Sequence, residues 1–138
     1  MRIGRHAGVV ALTALIIAQG AQADGVAKRG GETFLRYCAS CHGVEGDGMG
    51  PMRPVLMVPP ADLTALAETN GGVFPLERVL ARIDGRDALV SHGSEMPVYG
   101  DFFSSGGRAT VETEDGETVR TTGALADLVA YLRLLQAE

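Results

Sequence analysis

The sequence predicts a single all-α domain whose helices are joined by long, glycine-rich loops. Apolar residues recur at helical spacing in three segments, 25–39, 75–84 and 123–136. The last segment has the clearest stripe, formed by Leu125, Leu128, Val129, Leu132 and Leu135. Nineteen glycines among 138 residues indicate tight loops between these helices. The length fits one domain.

Two weaker patterns complete the secondary structure. Residues 61–68 predict a short helix that ends at Asn70-Gly71-Gly72. Residues 109–121 alternate β-branched and polar side chains around Asp115-Gly116, which predicts a small β-hairpin inserted between helices. This acidic hairpin is interpreted either as a docking loop for a partner protein or as a neutral surface insertion.

The first 23 residues have the pattern of a secretory signal peptide. Arg2 and Arg5 precede an apolar run, and Ala21-Gln22-Ala23 has the small residues of a cleavage site. The apolar run has about 12 residues, whereas a membrane-spanning helix needs about 20. We therefore expect cleavage rather than an anchor, a mature domain of residues 24–138, and no membrane span after cleavage.

The charge balance is acidic. The whole chain carries a net charge of −5, and loss of Arg2 and Arg5 makes the mature chain about −7. The sequence has no basic patch, so we do not expect a nucleic-acid partner. An acidic chain is expected to dock on partner proteins with a basic or mixed-charge surface.

The chemistry of the chain is concentrated in Cys38-Ala39-Ser40-Cys41-His42. Two thiols at this spacing, followed at once by an imidazole, form the attachment signature of c-type haem. Each cysteine can form a thioether with a haem vinyl group, and His42 can bind the iron.

Three other interpretations of these two cysteines remain. A thioredoxin-like pair needs a βαβ setting, which this helical segment does not provide. A zinc site usually needs four ligands, and here there are three, with two adjacent. A structural disulfide would leave His42 without a role.

A second feature lies in residues 91–100. Met96 precedes Pro97, which holds the backbone at Met96 extended. With residues 38–42, this pair resembles the class I c-type cytochromes, which are small electron-carrying haem proteins. The resemblance implies one covalent haem c with His42 and Met96 as the iron ligands, a pair that raises the reduction potential.

Other side chains compete with Met96 for the second iron position. Met49 lies only seven residues from His42, so it would need an almost fully extended chain to reach the opposite haem face. Met52 and Met57 could reach, although most methionines fill gaps in a core. His92 would replace the thioether with a second imidazole.

The resemblance also implies roles for residues in the terminal helices. A glycine and an aromatic residue one turn apart, here Gly30 and Phe34, are expected to let the two helices cross closely against Leu128 and Tyr131. Otherwise Gly30 would belong to a flexible lead-in and the helix would begin at Gly31.

The resemblance further implies that a proline carbonyl accepts a hydrogen bond from the second ring nitrogen of His42. Pro51, in Gly50-Pro51, is the expected acceptor, and Pro54 is the alternative.

Arginines of the middle helix at positions 78, 82 and 86 share one stripe. They form a solvated face, or else Arg82 or Arg86 pairs with a haem propionate, a role for which Arg53 competes.

Taken together, the resemblance implies a class I cytochrome c fold, with crossing terminal helices and the haem in a loop-rich cleft. The expected function is one-electron transfer in the bacterial periplasm, by a protein without catalytic residues that is not itself an enzyme. Two alternatives remain: an electron-transfer subunit of a periplasmic oxidoreductase, and a ligand-binding sensor haem with a labile sixth site.

Overall fold

The structure, a computed structural model, describes residues 25–86 and 96–136. Within these residues the helices are α1 over 25–37, α2 over Ala39–His42, α3 over Leu76–Asp84 and α4 over Gly123–Leu134. Single 3-10 turns occupy Arg53–Val55, Glu68–Asn70 and Ser104–Gly106. Strands β1 (Arg108–Glu112) and β2 (Thr118–Thr122) pair antiparallel, with Val111 opposite Val119. The predicted signal peptide, residues 1–23, lies outside the described residues.

The prediction of an all-α class I cytochrome c fold is wrong, because the β-hairpin is integrated with the helices. Strand β2 leads directly into α4, and the Thr122 side chain caps that helix by accepting a hydrogen bond from the Leu125 amide. The Arg133 side chain of α4 donates to the Glu112 carbonyl in β1. The described part of the chain is therefore a small mixed α/β fold.

Helices α1 and α4 touch where Gly30 faces α4. A methyl group at Gly30 would collide with the carbonyl of Asp127, so the two backbones approach too closely for any side chain there. Phe34 is fully buried one turn later, and its ring centroid lies 5.3 Å from that of Tyr131. Arg29 forms a bidentate ion pair with Asp127, in which Nε of Arg29 lies 2.6 Å from Oδ2 of Asp127. Gly30 is thus part of α1, and the interpretation of this glycine as a flexible lead-in is wrong.

The core lies between α3, α4 and α1. Helix α3 turns one face inward, with buried Val79, Leu80 and Ile83, and ends at Gly85, whose φ of +83° suits glycine. Leu128 and Val129 of α4 are almost completely buried in the same hydrophobic cluster. These elements hold the residues around the candidate site described below.

Residues 61–68 do not form the predicted helix, because other contacts use their polar groups. The Asp62 carboxylate accepts hydrogen bonds from both the amide and the hydroxyl of Thr64, which fixes a local turn. The Leu63 amide donates to the Gly46 carbonyl at 2.7 Å. The segment is instead a series of turns that ends in the 3-10 turn Glu68–Asn70.

None of the helices in the described ranges 25–86 and 96–136 combines the length and the hydrophobicity needed to cross a membrane.

Candidate functional site

The loop after the Cys38–His42 motif folds back onto the short helix α2. A single-turn helix leaves its carbonyl groups without intrahelical partners. Here the amide of Gly43 donates to Ala39, and the amides of residues 52, 50 and 48 donate to the carbonyls of residues 40, 41 and 42 at 2.8–3.1 Å. All four carbonyls of α2 therefore have a partner, so the loop holds Cys41 and His42 in place.

Two glycines make this close return of the loop possible. Gly48 has a φ of +77°, and a β-carbon there would lie 2.6 Å from the Pro60 carbonyl oxygen. Gly50 has the same restriction, because its β-carbon would lie 2.6 Å from the Ser40 carbonyl oxygen. The glycine-rich sequence after His42 is thus needed for contact between backbones.

The imidazole of His42 is oriented by a backbone carbonyl. Its Nδ1 atom lies 2.9 Å from the oxygen of Ala61. Since a carbonyl can only accept, Nδ1 carries the proton, and Nε2 of the neutral ring keeps its lone pair. The expected acceptor was Pro51, with Pro54 as the alternative. The structure gives this position to Ala61, which follows Pro59-Pro60 and is fixed by the neighbouring Leu63–Gly46 hydrogen bond.

The motif opens onto a cavity of about 860 Å³. Its size lies in the usual range of ligand pockets, about 300–1,000 Å³. Cys38, Cys41, His42 and Met96 all line it. The rest of the wall is mainly apolar, with contributions from the core residues Phe34, Val79, Ile83, Phe103, Leu128 and Leu132. The cavity thus brings together the four residues that the sequence predicted to bind haem, and most of its wall is apolar.

The methionines separate clearly by position. Met96 is partly buried and lines the cavity. Met49, Met52 and Met57 do not line it, and their exposed fractions are 63%, 44% and 92%. His92, the other rival of Met96, lies outside the described residues.

The three arginines of the predicted stripe also differ in whether they line the cavity. Arg78 and Arg82 line the cavity and are the arginines among its lining residues. Arg86 instead forms an ion pair with Asp84 at 2.6 Å, and neither Arg86 nor Arg53 lines the cavity. A carboxylate on a cavity ligand would therefore find its partner on α3 at Arg78 or Arg82.

An aromatic cluster that sequence reasoning missed contributes Tyr37, Tyr99 and Phe103 to the cavity wall. It consists of Tyr37 at the end of α1 and Tyr99, Phe102 and Phe103 after Met96. Ring centroids of every pair lie 4.9–6.4 Å apart. The Tyr99 hydroxyl donates to the Tyr37 carbonyl at 3.1 Å. The run of aromatic residues at 99, 102 and 103 was a signal available in the sequence.

The two thiols are not joined by a disulfide. Burial raises the pKa of Cys38 to about 11, and the nearby Cys41 adds to the effect. In a redox-active Cys-x-x-Cys pair the attacking cysteine needs the opposite shift, because a thiolate is the nucleophile. The environment of Cys38 therefore does not suit it to be the attacking thiol. Over the described residues, there is also no group of three or more His, Cys, Asp or Glu side chains placed to hold a metal ion.

Comparisons with protein-family models, with curated proteins and with solved structures found no match to this chain. The motif and the geometry of the cavity are therefore the observations that bear on function.

Proposed function

We propose that the chain is a one-electron carrier that holds a single c-type haem covalently through Cys38 and Cys41, with His42 and Met96 as the iron ligands. The observation that carries the proposal is that these four residues, separated by up to 58 positions in the sequence, line one cavity. The resemblance to c-type cytochromes in these motifs points the same way, whereas the fold supplies no argument.

The residues present fit such a group. An apolar wall suits a porphyrin, whose faces are large and hydrophobic. Arg78 and Arg82 supply positive charge where the wall is not apolar, which suits its carboxylates. The bound iron would supply the chemistry by cycling between the ferric and ferrous states.

The protein's own residues would bind and tune this group. The Ala61 carbonyl fixes the His42 ring and leaves the Nε2 lone pair for the iron. The hydrogen bond at Nδ1 also increases the basicity of the imidazole. Met96 would contribute a soft thioether sulfur, which favours the ferrous state and raises the potential. The loop from Gly43 to Met52 keeps Cys41 and His42 rigid.

The proposal includes export to the periplasm after removal of residues 1–23, since this type of haem attachment takes place outside the cytoplasm in bacteria. The acidic mature chain would exchange electrons with partner proteins that carry a basic or mixed-charge surface.

The test is the absorption spectrum of the mature protein in both oxidation states, after production in a bacterium that attaches haem in its periplasm. A carrier with two firm axial ligands predicts a six-coordinate spectrum in both states and slow, weak binding of carbon monoxide to the ferrous form. Met96→Ala is expected to bind carbon monoxide readily. Met57→Ala is the matched control, because Met57 is 92% exposed and does not line the cavity.

If the unaltered ferrous protein bound carbon monoxide as fast as Met96→Ala does, the proposal of an electron carrier with Met96 as an iron ligand would be wrong. That result would favour the sensor with a labile sixth site instead.

A further inference from the structure

The residues that follow Met96 are attached to the end of α3. The Tyr99 amide donates to the Ile83 carbonyl at 2.8 Å, so it caps one of the carbonyls that the helix leaves without a partner. On either side of Tyr99 the contacts are steric. Val98 packs against Gly85, and a β-carbon at Gly85 would collide with a methyl group of Val98. Gly100 lies against the Asp84 carbonyl, which leaves no room for a side chain at residue 100.

Tyr99 also contacts the end of α1. Its hydroxyl donates to the carbonyl of Tyr37, which is the last residue of α1 and immediately precedes Cys38. Its ring contacts Tyr37 and Phe103, with centroid distances of 6.2 and 5.6 Å. One residue therefore connects the end of α3, through its amide, with the residue next to the first cysteine, through its hydroxyl.

The separation along the chain makes this connection relevant to Met96. Three residues of extended chain span at most about 10–11 Å, so fixing Tyr99 confines Met96 to a small region of the cavity wall. We infer that Tyr99 is a positioning residue for Met96, which holds the sulfur at a set place relative to Cys38 and His42. The inference depends on the proposed function, in which Met96 binds the iron.

The hydroxyl is the part of Tyr99 that can be tested alone. Tyr99→Phe keeps the ring in the aromatic cluster and keeps the hydrogen bond from the backbone amide of residue 99 to the Ile83 carbonyl. The substitution removes only the hydroxyl that donates a hydrogen bond to the Tyr37 carbonyl, so the variant is expected to fold. Tyr131→Phe is the matched control, because it removes a tyrosine hydroxyl from the same core, beside Phe34, at a position that does not line the cavity.

The experiment measures two properties of the haem-loaded protein that do not depend on electron transfer to a partner. One is the affinity of the ferrous form for carbon monoxide, which competes with Met96. The other is the ferric absorption band that marks a sulfur–iron bond. Because a single hydrogen bond of this kind stabilises only modestly, Tyr99→Phe is expected to bind carbon monoxide about fivefold more tightly and to show a weaker sulfur–iron band. Tyr131→Phe is expected to stay within about twofold of the unaltered protein.

Gly100→Ala provides a second variant, since its β-carbon would push residues 98–100 away from the Asp84 carbonyl. It is expected to change both properties in the same direction and by more than Tyr99→Phe. Equal carbon monoxide affinities for Tyr99→Phe and Tyr131→Phe, with the sulfur–iron band intact in both, would overturn the positioning role. Failure of the proposed function would look different, because the unaltered protein would then lack the haem or the sulfur–iron band altogether.

Discussion

Nδ1 of His42 and the carbonyl oxygen of Ala61 lie 2.9 Å apart, across 19 positions of sequence. The Ala61 carbonyl is held in place by the glycine loop, since Gly48 packs directly on the Pro60 carbonyl and Leu63 bonds to Gly46. The orientation of the imidazole therefore depends on a contact between two backbones that has room only for glycine.

Gly48→Ala is expected to destabilise the protein by about 2–4 kcal/mol, because it combines a left-handed backbone with a clash against a carbonyl group. Gly71→Ala is the matched control. Gly71 has a similar φ of +72°, but nothing lies within 4 Å of its β-carbon position. That variant should therefore lose only about 1–2 kcal/mol. Urea unfolding of both variants checks the difference, and equal losses would show that the contact with Pro60 is unimportant.

The approach of α1 to α4 makes a second prediction. Gly30→Ala is expected to lower the free energy of unfolding by about 3 kcal/mol, since the new methyl group meets the Asp127 backbone. Gly25→Ala makes the same change in the same helix, where the nearest atom is the end of the Arg29 side chain at 3.8 Å. Gly25 is the first residue of α1, where the interior preference for alanine is reduced, so the change there should stay within about 0.5 kcal/mol. Thermal unfolding of the two variants would contradict the tight crossing if both gave the same change.

The partly buried Cys38 thiol makes a third prediction, about chemical reactivity in the haem-free chain. Its pKa of about 11 leaves little thiolate at pH 8, although the thiolate that forms is intrinsically more nucleophilic. Alkylation by iodoacetamide at pH 8 is therefore expected to be about tenfold slower than for an ordinary thiol, and the rate should keep rising well above pH 9. The measurement uses Cys41→Ser, in which Cys38 is the single thiol and burial, the larger cause of its raised pKa, is retained. A rate that levels off near pH 9 would contradict the burial.

The arginines on α3 make a fourth prediction, for the haem-loaded protein. Removing a positive charge from the cavity wall favours the more positive, ferric state, so Arg78→Gln should lower the reduction potential. Taken over about 10 Å with an effective dielectric constant near 20, the interaction is about 1.7 kcal/mol, so the shift is at most roughly 70 mV. Arg86→Gln removes the same charge from a residue that pairs with Asp84 outside the cavity, so its shift should be much smaller. Equal shifts in a redox titration would exclude a specific role for Arg78.

Local patterns predicted the parts of the fold that local physics determines. The apolar stripes gave α3 and α4 nearly at their observed ends, and the glycines after His42 indicated the left-handed turns at residues 43, 46 and 48. The Val/Thr alternation around Asp115-Gly116 indicated strands close to those observed.

Most of the errors came from long-range contacts that no window of sequence shows, and local side-chain bonds at Asp62 and Thr122 added to them. The Ala61 carbonyl reaches His42 only because the loops at 43–52 and 60–63 pack on each other, so Pro51 was a reasonable but wrong choice of acceptor. Residues 61–68 follow the helical pattern, yet side-chain bonds at Asp62 and the bond from Leu63 to Gly46 override it. The all-α class failed because Arg133 and Thr122 tie the hairpin to α4.

The proposed electron carrier requires, before anything else, a haem joined covalently to the two cysteines. The measurement is the haem content of the mature protein after full denaturation and removal of unbound pigment, in parallel with Cys38→Ser/Cys41→Ser. One haem per chain is expected to remain with the unaltered protein and none with the double variant. Denatured protein that carries no haem, after production in cells that attach haem to other exported proteins, would contradict the proposal.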